Sequence, residues 1–224
     1  MLVERNMHPD WLSNAYVVAD EEGGTAVFVD AGADPVPLAA ALERWGAEPA
    51  AILRTHAHHD HVAWEDELRS RYGVPVLTAP GEWDFGNVHV HGLATPGHSD
   101  DMVAFVVGDE LVFTGDTLFK DAVGGGDPEL VRSSVMDVFM ALPDALRVLP
   151  GHTDETTIGR EREHNPFVRV WSGAEPEGTE HVSVGGRGAT LLVWSPDYDG
   201  KGKAWVRFDD DGGDAIVGGS RISR

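Results

Sequence analysis

Thr55-His56-Ala57-His58-His59-Asp60-His61-Val62 puts four imidazoles and a carboxylate into eight residues, a density of ligand side chains that suits a metal ion and little else. Neutral imidazole is the commonest metal ligand, and a carboxylate completes a zinc or iron set. The run before it, Ala50-Ala51-Ile52-Leu53-Arg54, is short and apolar and reads as a buried strand. Alternation at the strand's end puts His56 and His58 on one side, about 7 Å apart at Cα. The chain then turns, so that Asp60 and His61 come round as neighbours able to face a second ion, while His59 is out of phase. Helix signals follow over 63–72, with Gly73 as the stop. The cluster therefore lies on a strand-to-helix loop, a place where function is commonly mounted on a rigid scaffold.

Composition narrows the chemistry. The 224 residues suit one large domain or a domain with a small appendage, and 42% hydrophobic content is that of a globular chain. Cysteine is absent, which excludes disulfides, thiolate ligands and a cysteine nucleophile. The formal charge of −21 disfavours nucleic acid and anionic membrane surfaces as partners. No run of 18 apolar residues and no leader pattern is present, so a cytoplasmic location is the expectation.

Outward from the cluster, strands are predicted over 12–19 and 25–30, then a helix capped by Asp34, with Pro35 in its first turn and Gly46 as its stop. Strand and helix alternate through 74–77 in the α/β manner. From Asn87 the chain is strand-rich, with strands over 88–93, 102–107 and 110–114. A second H-x-H pair, His89 and His91, alternates with Val88 and Val90, and reads as the solvent face of a half-buried strand. A helix over about 128–142, a strand over 147–149 and a helix over 156–164 follow. Three further strand ends aim single ligand types: Thr95-Pro96-Gly97-His98, Thr114-Gly115-Asp116-Thr117 and Pro150-Gly151-His152-Thr153. Beyond Phe167 short β-like runs carry Trp171, Trp194 and Trp205. The expectation is a catalytic domain over 1–168 and a small β-rich extension over 169–224, too short for a core of its own and packed on the first.

Together T-H-A-H-H-D-H (55–61), T-P-G-H-S (95–99), T-G-D-T-L-F (114–119) and P-G-H-T (150–153) resemble the metallo-β-lactamase superfamily. The stretch T-T-I-G-R-E-R-E-H-N-P-F (156–167) is similar to its glyoxalase II branch. The resemblance covers about residues 10 to 168 and implies an αββα sandwich with the site at one edge of two packed sheets. It implies that His56, His58 and His98 hold one metal, that Asp60, His61 and His152 hold a second, and that Asp116 bridges them. The implied cofactors are two divalent ions, zinc first, with iron or manganese as alternatives. The implied chemistry is attack by a metal-bridging hydroxide on a thioester or other small acyl substrate, with Asp60 and Asp116 as the catalytic carboxylates.

Persulfide dioxygenases share these motifs but use a single iron on the equivalents of His56, His98 and Asp116, which makes them the alternative. A non-catalytic metal-binding scaffold is the third reading; it has no need of open coordination positions. Diiron oxygen-reducing relatives carry Glu where His58 stands. Glyoxalase II-type enzymes bind glutathione carboxylates through basic residues after T-G-D-T-L-F and in a helical C-terminal region. Here Lys120 follows the motif directly and is the candidate substrate contact, but the next residues are Val123-Gly124-Gly125-Gly126-Asp127 and the tail is β-like.

Overall fold

The computed structural model describes residues 1–224. The chain runs β1 (Leu2–Met7), β2 (Asn14–Ala19), β3 (Thr25–Val29), α1 (Val36–Trp45), β4 (Glu48–Leu53), α2 (His59–Val62), α3 (Glu65–Tyr72) and β5 (Val76–Leu77). Then come β6 (Gly81–Phe85), β7 (Val88–Ala94), β8 (Val103–Val107), β9 (Leu111–Gly115), β10 (Leu118–Phe119), β11 (Ala122–Val123) and α4 (Pro128–Ser133). The remainder is β12 (Arg147–Pro150), β13 (Thr156–Thr157), α5 (Ile158–His164), α6 (Pro166–Trp171), β14 (Glu180–Val184), β15 (Arg187–Ser195), β16 (Lys203–Phe208), β17 (Asp214–Gly218) and β18 (Ile222–Ser223).

Two sheets face each other. The first is ordered β1-β2-β3-β4-β5 and the second β13-β12-β9-β8-β7-β6. Strand β2, Asn-Ala-Tyr-Val-Val-Ala, is buried at every position because both of its faces are covered. Tyr16 and Val18 join Val27, Leu53, Phe105 and Phe113 between the sheets. Val17 points the other way, with Phe28, Ile52, Leu38 and Leu68, under α1 and α3. The outer face of the second sheet is covered by the segment 128–171 through Val131, Phe139, Ile158 and Phe167. Helices outside two stacked sheets are the expected αββα sandwich.

Some elements differ from the sequence expectations. The single helix over 128–142 is broken into α4, a π-turn at Ser134–Val138 and a 3-10 turn at Phe139–Ala141. Helix α5 starts at Ile158, because Thr156 and Thr157 pair with β12 and the Thr157 hydroxyl accepts from the Arg160 N–H. Strand β1 is an edge strand, exposed at Arg5 and Met7, and it carries no buried run.

The extension also departs from expectation, since it does have apolar residues that pack among themselves. Its sheet is ordered β17-β16-β15-β14-β18, yet β17 and β18 are joined only by the 3-10 turn Gly219–Arg221. A flat five-stranded sheet would separate its edges by roughly 19 Å, and a turn rising about 2 Å per residue cannot span that. The sheet must therefore curl, and Val182, Val184, Leu191, Val206 and Val217 form a buried cluster on one face. Residues of its other face, Leu192, Val193, Trp205 and Ile216, join Phe167 and Trp171 against the sandwich. Trp171 and Trp205 so pack as expected, whereas Trp194 is exposed.

Candidate metal centre

All seven expected ligands lie just beyond the C-terminal ends of strands, five of them on loops and Asp60 and His61 in the short helix α2. Parallel β3 and β4 end together, and so do parallel β9 and β12, with β7 running the same way two strands along. Asp30 follows β3; His56 to His61 follow β4; His98 follows β7; Asp116 follows β9; His152 follows β12. Strand direction thus gathers expected ligands up to 96 positions apart, His56 to His152, at one edge.

Three ligand groups form there, each with its donor atoms within 4.8 Å of one another: His56, His58 and His98; His56, His61 and Asp116; and Asp60, His61 and His152. The His58 Nδ1 lies 3.0 Å from both His56 Nε2 and His98 Nε2. Donors about 2.0–2.1 Å from a tetrahedral zinc would be roughly 3.3 Å apart, so three ring nitrogens at this spacing fit one ion. Asp116 stands between the groups. Its Oδ1 is 3.3 Å from His61 Nε2, and its Oδ2 is 3.3 Å from His152 Nε2 and 3.6 Å from His98 Nε2. Asp60 Oδ2 approaches His152 Nε2 at 3.6 Å and His61 Nε2 at 3.7 Å.

The far nitrogen of four rings is pinned, which turns the near lone pair inward. His61 Nδ1 meets Asp30 Oδ2 at 2.8 Å, His98 Nδ1 the Gly125 carbonyl at 2.8 Å, and His152 Nδ1 the Leu12 carbonyl at 2.9 Å. His56 Nδ1 meets Thr55 Oγ1 at 3.1 Å, and that hydroxyl donates onward to Asp30 Oδ2 at 2.8 Å. Asp30 also accepts the Thr55 N–H at 2.7 Å. Sequence reasoning missed Asp30, Leu12 and Gly125. Asp30 alone offered a signal, as an acidic residue where a buried strand ends beside the cluster-bearing strand.

Two glycines let the backbone come close. A Cβ on Gly151 would sit 2.2 Å from Asp116 Oδ1 and 2.7 Å from His61 Cε1, and one on Gly124 would sit 1.8 Å from the Asp116 carbonyl oxygen. The charges favour a cation. Burial pushes His56 down to about 3, with the neighbouring His61 adding to the effect, and burial likewise lowers His98, so both rings are neutral, the form that can ligate a metal. Burial opposes charge on His61, but the carboxylates of Asp116 and Asp30 overcome it and raise His61 well above the usual histidine range. Burial would raise Asp116, yet His61 and His152 hold it well below the usual carboxylate range. His61 Nε2 and Asp116 Oδ1 are nevertheless buried without a well-aligned hydrogen-bond partner. Carboxylates that draw a proton onto His61, together with orphaned donor atoms, mark a position suited to a cation. The residues present fit divalent ions.

The remaining residues sort around this centre. His59 is exposed, with its ring edge-on to Trp11 at 5.0 Å. His89 and His91 are exposed on β7, on the solvent side as expected. Lys120 lines a cleft of about 340 Å³ beside His152, and Tyr198, which the sequence did not single out, stacks on the His152 ring. No helix is long and apolar enough to cross a membrane.

Known proteins resemble the chain in both sequence and fold. Residues 8–98 match the sequence profile of the metallo-beta-lactamase superfamily. The probable metallo-hydrolase YqgX of Bacillus subtilis is 29% identical over an alignment of 201 residues that covers 71% of this chain and 94% of that protein. The probable polyketide biosynthesis zinc-dependent hydrolase BaeB of Bacillus velezensis is 26% identical over 183 residues, covering 71% and 81%. Among solved structures, TTHA1623 in a di-iron-bound form is 32% identical with a TM-score of 0.61, covering 73% of this chain and 99% of its own. The B3 metallo-beta-lactamase BLEG-1 is 29% identical with a TM-score of 0.69, covering 75% and 99%. ETHE1 from Myxococcus xanthus is 25% identical with a TM-score of 0.66, covering 78% and 92%.

Proposed function

The chain belongs to the metallo-beta-lactamase superfamily, and we propose that it is a dinuclear hydrolase of thioesters or other small acyl compounds, of the glyoxalase II-like kind. The observation that carries this reading is the convergence of seven ligands in overlapping groups with Asp116 between them. His56, His58 and His98 would hold one ion, Asp60, His61 and His152 the other, and Asp116 both. BaeB, a probable zinc-dependent hydrolase, supports zinc, and TTHA1623, bound to two irons, supports two ions and leaves iron open. Residues 1–168 are taken as the catalytic unit and 169–224 as its extension.

Two bound divalent ions would supply Lewis acidity toward a carbonyl oxygen and acidify a water. The chain's own groups do the rest. The pinned imidazoles hold their lone pairs in place without reorganisation at the moment of reaction. Asp60 keeps 30% of its side chain exposed, against 8% for Asp116, so it is the ligand carboxylate that can take up a proton from the attacking water and pass it to solvent. With no cysteine in the chain, a thiolate nucleophile is not available.

The second reading, a mononuclear iron persulfide dioxygenase on His56, His98 and Asp116, draws on the 3.6 Å approach of His98 Nε2 to Asp116 Oδ2. It leaves the group of Asp60, His61 and His152 without a use. The experiment is an activity screen of the protein loaded separately with zinc and with iron. Hydrolysis of an acyl thioester without oxygen consumption is expected. Oxygen consumption with a persulfide, and no thioester hydrolysis, would replace this reading with the second.

A further inference from the structure

Strands β10 and β11 form a two-stranded sheet joined to no other, with two residues in each strand. A lone hairpin is marginally stable in water, but this one stands at the metal centre. Asp116 lies two positions before it, and Gly125, whose carbonyl meets His98 Nδ1, lies two positions after it. Its base is tied, since the Gly124 N–H donates to the Thr117 carbonyl at 3.2 Å. Phe119 stands edge-on to the His152 ring at 5.8 Å. The hairpin therefore adjoins ligands of both groups. Its tip carries Asp121 at φ +65°, a backbone that side chains of L-residues rarely adopt, so support has to come from outside the hairpin.

That support comes from α5. Glu161 in the helix and Asn165 at its C-terminal end stand four positions apart, on one face, and neither is exposed to solvent. Glu161 Oε2 accepts the Asp121 N–H at 2.8 Å, and Asn165 Nδ2 donates to the Ala122 carbonyl at 3.0 Å. The pair is itself locked. Asn165 Nδ2 also donates to Glu161 Oε2 at 3.0 Å, while Glu161 Oε1 accepts from the Thr156 hydroxyl at 2.6 Å and from Arg160 at 2.9 Å. Arg160 reaches on to the Asp121 carboxylate at 2.7 Å. A carboxylate that served only to join α5 to α6 would need no partner 40 positions away. This one gives an oxygen to the backbone of the turn between Asp116 and Gly125.

We propose that Glu161 and Asn165 are positioning residues of the metal centre. By clamping the tip of the β10–β11 hairpin they fix its base, and so hold Asp116 against Gly124 and the Gly125 carbonyl against His98. The stretch Thr156 to Phe167, which contributes no ligand, thereby sets where two of the ligands stand. This rests on the metal centre proposed above and is independent of the acyl substrate.

Two variants of the full-length chain test this. Asn165→Ser keeps a hydroxyl to cap α6 in place of the Asn165 side chain but removes the amide from Ala122 and Glu161; Glu161→Ala removes the clamp altogether. Leu38→Ala, in the cluster between α1 and the first sheet, is the control for lost stability alone. Chelator competition reads the zinc affinity of the ion that a His98→Ala variant loses, and an imidazole proton–nitrogen correlation spectrum of the zinc-loaded protein reads the His98 Nδ1–H. Asn165→Ser is expected to weaken that ion roughly three- to tenfold, less than the about 10- to 100-fold of a residue bonded to the ligand itself, and to shift the Nδ1–H signal. Glu161→Ala is expected to weaken it at least as much. Leu38→Ala is expected to lower the urea midpoint and leave both readouts as in wild type. Wild-type affinity and an unmoved signal in Asn165→Ser would reduce the clamp to a support of the fold and overturn the proposal, whether or not Glu161→Ala folds. So would an equal loss of zinc in Leu38→Ala. Neither readout uses turnover, so the expected results without thioester hydrolysis would uphold the positioning role and refute the hydrolase reading alone.

Discussion

Asp30 holds the metal loop from behind, and replacing it separates the fold's stability from the centre's affinity. The carboxylate is 3% exposed and meets three groups: the Thr55 N–H at 2.7 Å, the Thr55 hydroxyl at 2.8 Å and His61 Nδ1 at 2.8 Å. Asp30→Ala orphans three buried donors at about 1–3 kcal/mol each. It also places alanine at φ +54°, a conformation that Asp and Asn tolerate better. Partial relaxation leaves an expected loss of about 3–5 kcal/mol in stability. Asp30→Asn is the sharper probe. It keeps the shape and the tolerated φ, and its amide oxygen can still accept from Thr55, but the anionic acceptor on His61 is gone. Zinc affinity at the His61 position should fall about 10- to 100-fold, or about 1.4–2.7 kcal/mol. Chelator competition reads the affinity, and urea denaturation of the zinc-free protein reads the stability. An Asn variant that bound both ions as tightly as wild type would reduce the Asp30–His61 contact to packing and refute the reasoning.

Gly151→Ala should disrupt the centre by sterics alone, since the new methyl would lie 2.2 Å from Asp116 Oδ1; metal analysis should find at least one ion lost while the circular dichroism stays native. His59→Ala should retain its metal and change stability by no more than about 0.5 kcal/mol, because the ring is exposed, and loss of an ion would place the loop in a different register. Metal uptake should release protons. Burial disfavours charge on His61, but Asp116 and Asp30 outweigh it and raise its pKa, so the zinc-free protein carries a proton there at neutral pH that zinc must displace. The sign follows: apparent zinc affinity falls as the pH is lowered, by roughly tenfold per unit for each proton displaced. An indicator in weak buffer should report acidification on adding zinc, and none would contradict the charge state assigned to His61.

The ligand loops were legible because each pairs a distinctive side chain with a strand end: His56 to His61 after an apolar run, and His98 and His152 after Pro-Gly turns. The alternation of strand and helix signals gave the α/β character of the first half, and the sandwich followed from the resemblance of the four motifs to the metallo-β-lactamase superfamily. What supports the ligands was not legible, for physical reasons. Asp30 is one of 38 acidic residues, and nothing local distinguishes it until β3 and β4 lie parallel. The Leu12 and Gly125 carbonyls act through the backbone, which every residue possesses. Tyr198 stands 46 positions beyond His152, and their contact depends on how the extension docks. The extension's own cluster was missed because runs such as Ala189 to Trp194 look too short singly, and only the pairing of β14, β15 and β16 brings Val182, Leu191 and Val206 onto one face.

Zinc titration of the metal-free full-length chain, followed by metal analysis after desalting, tests the dinuclear centre most directly. Two ions per chain are predicted at saturation for wild type, and Asp116→Ala should weaken both, because its two carboxylate oxygens face ligands of both groups. Saturation of wild type at one ion, with that ion retained in a His152→Ala variant, would contradict it.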